Sequence, residues 1–366
     1  MKTSTHTDIR EMLETFPYRP SVSIIIPAEP QHSTEASLKN TLKMAIDKTE
    51  RLLQEAYPPE TCKPVLQKIR HIANGIAFDT PKKSIVIYAS PVFEKLVYLD
   101  VVVEEKIIVD ESFEIRDLLY SKKHLQNYLV LVLSEQQCRL YLSNADTFMR
   151  ILLPVPENAG AFVNDVPERV ANFSDPNGRQ SVLLEKFLRN INKGLEEILA
   201  KYKLPLLITG TKKLLGHFRK LRRPGNNNVE YITGNYEEVS AEELRDVLQP
   251  HIEDLKKVKQ AELLQYLDEA AGRKKLATGI RSVWQEAMHA KGKLLVVEKN
   301  YMYAAEHGSR ADEIEPGNSQ QHNQLLQIKD AVDDIIEKVL RSGGDVEFAE
   351  SPMPAAYEHI ALVEYY

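Results

Sequence analysis

Two rhythms of hydrophobicity alternate along this chain. Short runs of β-branched residues, bounded by proline or polar turns, read as strands, and longer stretches with apolar residues every three or four positions read as helices; the alternation predicts an α/β protein. The first run, Ser21-Val22-Ser23-Ile24-Ile25-Ile26, stops at Pro27. Behind it Leu38, Leu42, Ile46, Thr49, Leu53 and Ala56 keep helical spacing from about Ala36, and a second helix is expected from Val65 to about Ile76. Strands are then expected over Ser84–Tyr88, Leu96–Val103 and Lys106–Val109.

Tyr128–Leu133 opens a new sheet as a hairpin, returning through Arg139-Leu140-Tyr141-Leu142 after the polar turn Glu135-Gln136-Gln137. The stretch 154–177 crosses Pro154, Pro156, Pro167 and Pro176 and is expected as loop, ending in Asp175-Pro176-Asn177-Gly178, which has the composition of a β-turn. A long helix follows from Ser181 to about Lys201, inward along Leu184, Phe187, Leu188, Ile191, Leu195 and Ile198. Leu204–Thr209 and Val229–Thr233 are expected as strands on either side of a helix Lys212–Leu221, which calls for a partly parallel sheet flanked by helices. Ser240-Ala241-Glu242-Glu243 is a capping box for a helix running toward Leu267 with a bend near Pro250. The remainder is expected to hold a helix Ile280–Ala290 with the only Trp, a strand Lys293–Val297, a polar loop 304–320, a helix Leu325–Arg341, and strands Asp345–Ala349 and His359–Tyr366.

At 366 residues the chain exceeds what one core usually serves, and the pattern divides it into three consecutive mixed α/β domains, 1–122, 123–268 and 269–366. No apolar run approaches the roughly 18 residues that cross a bilayer, and Met1-Lys2-Thr3-Ser4-Thr5-His6 leads into no apolar segment, so a cytoplasmic protein without a membrane partner is expected. Cys62 and Cys138 are too few for a disulfide framework, and the ten histidines show no ligand spacing, so no metal is expected. Without a phosphate-binding loop, dinucleotide fingerprint or nucleophile elbow, no cofactor is expected either. The acid pairs Glu104-Glu105 and Glu237-Glu238 read as solvated faces.

Charge changes the picture more than composition does. The net charge is −6, yet 178–223 holds twelve Lys or Arg (Arg179, Lys186, Arg189, Lys193, Lys201, Lys203, Lys212, Lys213, Arg219, Lys220, Arg222, Arg223) against three Glu, which leaves −15 on the rest. A cationic segment on an acidic body suits docking onto a polyanion at one defined place, because the acidic remainder opposes indiscriminate adsorption.

Three groups of residues, in order along the chain, resemble the archaeal and eukaryotic peptide-chain release factor superfamily, which includes Pelota and bacterial relatives. The last group is Gly343-Gly344-Asp345-Val346-Glu347-Phe348 followed by His359–Tyr366, with Gly292-Lys293-Leu294-Leu295-Val296-Val297-Glu298 before it. The middle group is Gly178-Arg179-Gln180-Ser181 ahead of the basic helix, then Leu206-Leu207-Ile208-Thr209-Gly210 and the helix with His217 and Phe218. The first is Ser23-Ile24-Ile25-Ile26-Pro27 with Ser84-Ile85-Val86-Ile87-Tyr88.

The resemblance implies a ribosome-associated translation factor acting in rescue, quality control or hibernation. Its middle domain would meet rRNA or tRNA through Arg179, Lys186, Arg189, Lys193, Lys212, Lys213, Arg219, Lys220, Arg222 and Arg223, and a translational GTPase is a possible partner by the same resemblance. In the superfamily a Gly-Gly-Gln loop positions water at the ester of peptidyl-tRNA. Gly178 would here shape the loop and Gln180 would be the catalytic candidate, but Arg179 replaces a glycine and disfavours positive φ by roughly 1 kcal/mol or more, so ester hydrolysis is not the leading expectation. The Asn-Ile-Lys-Ser and Tyr-x-Cys-x-x-x-Phe patterns of stop-codon reading are missing, which argues against termination. Two other readings are a peptidyl-tRNA hydrolase using Gly178-Arg179-Gln180, and a protein-binding adaptor recruiting through the acidic first and third domains.

Overall fold

The computed structural model describes residues 19–29, 34–80, 82–124, 127–144, 147–165, 176–222, 228–310, 312–317, 327–349, 353 and 355–365. The chain gathers into two compact units, one formed by 1–124 together with 259–366 and the other by 125–258.

The first segment runs β1 (Ser21–Pro27), α1 (Glu35–Ala56), α2 (Pro59–Asn74), β2 (Ser84–Ala89), β3 (Glu94–Leu99), β4 (Lys106–Asp110) and α3 (Arg116–His124). Its strands form an antiparallel sheet in the order β3-β2-β1-β4. Both faces are covered, which is why β1 reads as a continuous apolar run. Val22, Ile24 and Ile26 pack with Leu42, Leu53, Val65 and Ile69 of α1 and α2, while Ile25, with Val86 and Tyr88, faces the opposite way.

The second unit begins with the meander β5 (Asn127–Leu133), β6 (Cys138–Asn144) and β7 (Thr147–Ile151) and continues through a 3-10 turn at Ala159–Asp165 into α4 (Pro176–Lys201). Then follow β8 (Leu206–Gly210), α5 (Lys212–Leu221), β9 (Val229–Thr233) and α6 (Ala241–Gly272). The sheet order is β7-β6-β5-β8-β9, antiparallel on the hairpin side and parallel across β5, β8 and β9. Leu129, Leu131, Leu206 and Ile208 point to α4 and α5; Tyr128, Val130, Val132 and Leu207 point to Leu244, Leu248 and Ile252 of α6. This is the helix-flanked, partly parallel sheet that the sequence predicts.

In the C-terminal segment β10 (Leu276–Thr278), α7 (Ile280–Met288) and β11 (Gly292–Glu298) precede a small sheet of β12 (Ala305–His307), β13 (Ile314–Pro316) and β14 (Gln327–Ile328). Next come α8 (Ala331–Arg341), β15 (Asp345–Ala349) and β16 (Ile360–Glu364), and the main sheet has the order β10-β16-β11-β15. Leu267 and Ala270 of α6 cover one face through Val296 and Ala361, and α7 and α8 cover the other through Leu295 and Leu362. That second core is shared with the first segment. Ile25, Tyr88, Ile115 and Leu118 lie in one apolar cluster with Trp284, Ile335 and Leu362, and Tyr120 stacks edge-on against Phe348 at 5.5 Å.

Several elements differ from expectation. The polar loop 304–320 contains β12 and β13, and α8 starts at Ala331 rather than Leu325, because Asp330 caps it by accepting from the Val332 N–H at 3.1 Å. The third helix, α3, carries Leu118, Leu119 and Tyr120 all buried, so it shows no helical period. The expected capping box is present: Ser240 Oγ accepts from the Glu243 N–H at 3.2 Å, and Glu243 Oε2 accepts from the Ser240 N–H at 2.9 Å. Cys62 and Cys138 are both buried and free, and burial, with Glu157 beside it, pushes the Cys138 thiol up to about 12.

Candidate nucleic-acid interface

The basic residues sit on two helices that share one face of the five-stranded sheet. In α5, Thr211 caps the first turn, its hydroxyl accepting from the Leu214 N–H at 3.4 Å. Leu214, Leu215 and Phe218 point inward, which turns Lys212, Lys213, His217, Arg219 and Lys220 to solvent. In α4, Phe187, Leu188, Ile191, Leu195 and Ile198 are buried, Arg189 and Lys193 are exposed, and Lys186 is half-buried on the same outward side. The two helices pack on one another, so their outer faces are continuous.

The cations differ in how far they are already engaged. Arg189 donates to Glu185 Oε1 at 2.7 Å, an exposed pair one turn apart that contributes little to stability. The Arg219 guanidinium lies 4.3 Å over the Tyr231 ring of β9, which holds the side chain flat and leaves its edge outward. Burial lowers the Arg222 pKa from its ordinary value, and its Nη1 is enclosed without a hydrogen-bond partner among the described residues. Lys193, Lys212, Lys213 and Lys220 are exposed and join no ion pair among the described residues. Lys212 and Lys213 also stand in the first turn of α5, which holds no acidic residue, although that end of a helix dipole favours anions. Their placement is adverse for the helix and favourable for an external polyanion.

The Gly178-Arg179-Gln180 tripeptide is not in a loop. The helix α4 begins at Pro176, a residue whose fixed φ suits the first helical position, and the tripeptide lies in its first turns with Gln180 exposed. Helical backbone makes no use of glycine's freedom at positive φ. Arg223 lies outside the described residues, as does Asp175 of the expected turn.

A polar cluster at the carboxyl end of β5 escaped sequence reasoning. Ser134 Oγ and Gln137 Nε2 donate to Glu237 Oε1 at 2.9 and 3.1 Å, and Arg139 donates to the Glu237 carbonyl. Glu237 is thus half-buried and anchors the loop before α6, whereas Glu238 is exposed as expected. Nothing short of the pairing of β5 with β6 and β8 would have joined residues a hundred positions apart.

The model of the bacterial archaeo-eukaryotic release factor family 3 matches residues 127–291, all but the first two residues of the second unit and the passage through α7. No curated protein sequence matches the chain. Among solved structures it is similar to an archaeal translation termination factor, aRF1, at 12% identity over 100% of this chain and 99% of that one, with a TM-score of 0.26. Archaeoglobus fulgidus Pelota matches at 12% identity over 77% of this chain and 79% of that one, with a TM-score of 0.39. The S. cerevisiae protein Dom34, a translation termination-like factor that interacts with Hbs1, matches at 14% identity over 77% and 80%, with a TM-score of 0.38. Through the family model that covers its basic helices, the middle of this chain is similar to the bacterial archaeo-eukaryotic release factor family 3.

Proposed function

We propose that this protein is a ribosome-associated translation factor that lays the outer faces of α4 and α5 against rRNA or tRNA, in rescue, quality control or hibernation rather than in stop-codon reading. The carrying observation is the continuous cationic face on two packed helices, inside the segment matched by the release-factor family model. Lys193, Lys212, Lys213 and Lys220 supply unpaired charge to phosphates, Lys186, Arg189 and Arg219 add to it, and the acidic remainder limits contact to this face. The helical setting of Gly178, Arg179 and Gln180 supports a binding role over peptide release.

The test is sedimentation of the tagged full chain through sucrose gradients of lysate from growing and starved cells. Comigration with ribosomal particles is expected, weakened by moderate salt and by reversing Lys186, Arg189 and Lys193 to Glu. Wild-type protein that stays at the top of every gradient would overturn the reading and favour an adaptor. Replacing Gln180 in a peptide-release assay separates the hydrolase reading, because only that reading expects turnover to be lost.

A further inference from the structure

The densest set of buried polar groups lies in the unit formed by 1–124 and 259–366, where the first segment meets the start of α8. Arg116 is 3% exposed, donates from Nη1 to the Tyr301 carbonyl at 2.7 Å, and pairs through Nη2 with Asp330. Asp330 in turn accepts from the Tyr303 N–H at 3.1 Å, so this pair pins the irregular segment 301–303. Glu114, Asp117 and Asp333 are each 7% exposed; Asp117 is matched by Lys106 at 2.8 Å, but Oδ1 of Asp333 has no partner among the described residues. Around Asp334 stand Glu337 on its own helix, Asp110 at the end of β4, Glu111 and Asp330, with Lys329 turned to Asp110 at 3.3 Å, Arg341 to Glu337 at 2.6 Å and Arg19 to Glu111. Around Asp333 stand Glu114, Arg116, Asp330 and Asp334. Carboxylates outnumber cations here, and among the described residues no three ligand-type side chains are placed to hold a metal ion. Protons on these carboxyls would relieve that excess of negative charge.

We propose that this buried carboxylate cluster is a proton-linked latch. With Asp333 and Asp334 protonated, the start of α8 stays seated on the first segment; with both ionised, the seat loosens and frees the Tyr301–Tyr303 rim of the adjoining cleft. That cleft has a volume of about 750 Å³ and is lined by Tyr301, Tyr303, His359, Arg281 and Ser282.

Burial, followed by repulsion from the like-charged Glu114, drives the Asp333 carboxyl well above the ordinary aspartate value. Burial, followed by Glu337 and Asp110, brings Asp334 up to about 7. The helix N-terminus favours both anions and is outweighed. The sign follows: an unfolded aspartate loses its proton near 4 and the seated one near 7, so the seat is firmest in acid and loses stability as pH rises across that window.

The experiment is hydrogen exchange on the full chain between pH 5.5 and 8, corrected for the intrinsic pH dependence. Protection of the Val332–Ile336 and Leu118–Tyr120 amides is expected to fall on the order of tenfold over that range, with Leu129–Val132 of the other unit unchanged. Asp334→Asn should flatten the fall. Protection independent of pH, or the same slope in wild type and variant, overturns the latch. If Asp334→Asn does not fold, carboxyl-carbon NMR of the wild type decides directly: titration of Asp334 near 4 rather than near 7 overturns the latch.

Discussion

Arg116 joins stretches of chain 185 and 214 positions apart, since its partners are the Tyr301 carbonyl and Asp330. Removing one member of a buried ion pair leaves the other charge uncompensated, at a cost of about 3–5 kcal/mol. Arg116→Met is therefore expected to lower the unfolding free energy by that much at pH 7.5, seen as a lower urea midpoint with little change in slope, and by clearly less at pH 5.5, where Asp334 holds its proton. Equal losses at both pH values would show that packing, not charge, accounts for the effect. None of this was legible in the sequence, where Arg116 and Asp330 stand in unrelated polar surroundings. The residues of the basic face were legible because charge density is a one-dimensional property. Which of those cations are engaged was not, as Tyr231 under Arg219 shows.

At the level of elements, periodicity succeeded wherever one face is buried and the other solvated, as in α5, whose bounds match expectation at Lys212–Leu221. It failed where burial is all-round or the element is short. α3 is enclosed on most sides, and β12 and β13 are three residues each, too few to show alternation. The tripeptide was misplaced for a related reason: Pro176 was read as a turn former, although proline serves equally as a helix start. α5 also yields the sharpest separation of stability from function. Lys212→Glu with Lys213→Glu puts anions at the positive end of the helix and is expected to stabilise the protein by about 0.3–1 kcal/mol per residue, while weakening binding to ribosomal particles. Thermal unfolding and sedimentation of the same variant read the two effects; weaker binding with lower stability would mean that the helix had been damaged instead.

For the molecule as a whole, the charge distribution sets how binding responds to salt. Each phosphate contact made by a lysine steepens the fall of log K with log salt by roughly 0.7–0.9, so four such contacts through Lys193, Lys212, Lys213 and Lys220 give a slope near −3. Reversing the exposed Lys43 of α1, which belongs to the other unit, should leave that slope unaltered, and a slope that responds equally to Lys43 would indicate adsorption without a defined face. The shared core of the first and last segments bears on how the molecule comes into being. Ile25, Tyr88 and Leu118 leave the ribosome early, yet their partners Ile335 and Leu362 follow only roughly 240 residues later, on the order of ten to fifty seconds at cellular elongation rates. The middle unit can finish folding within that interval, while the opening sheet waits with one apolar face bare. A nascent chain of this protein is thus expected to need that face shielded until β16 is made, and a truncation that spares the whole basic face still leaves one side of the first sheet uncovered.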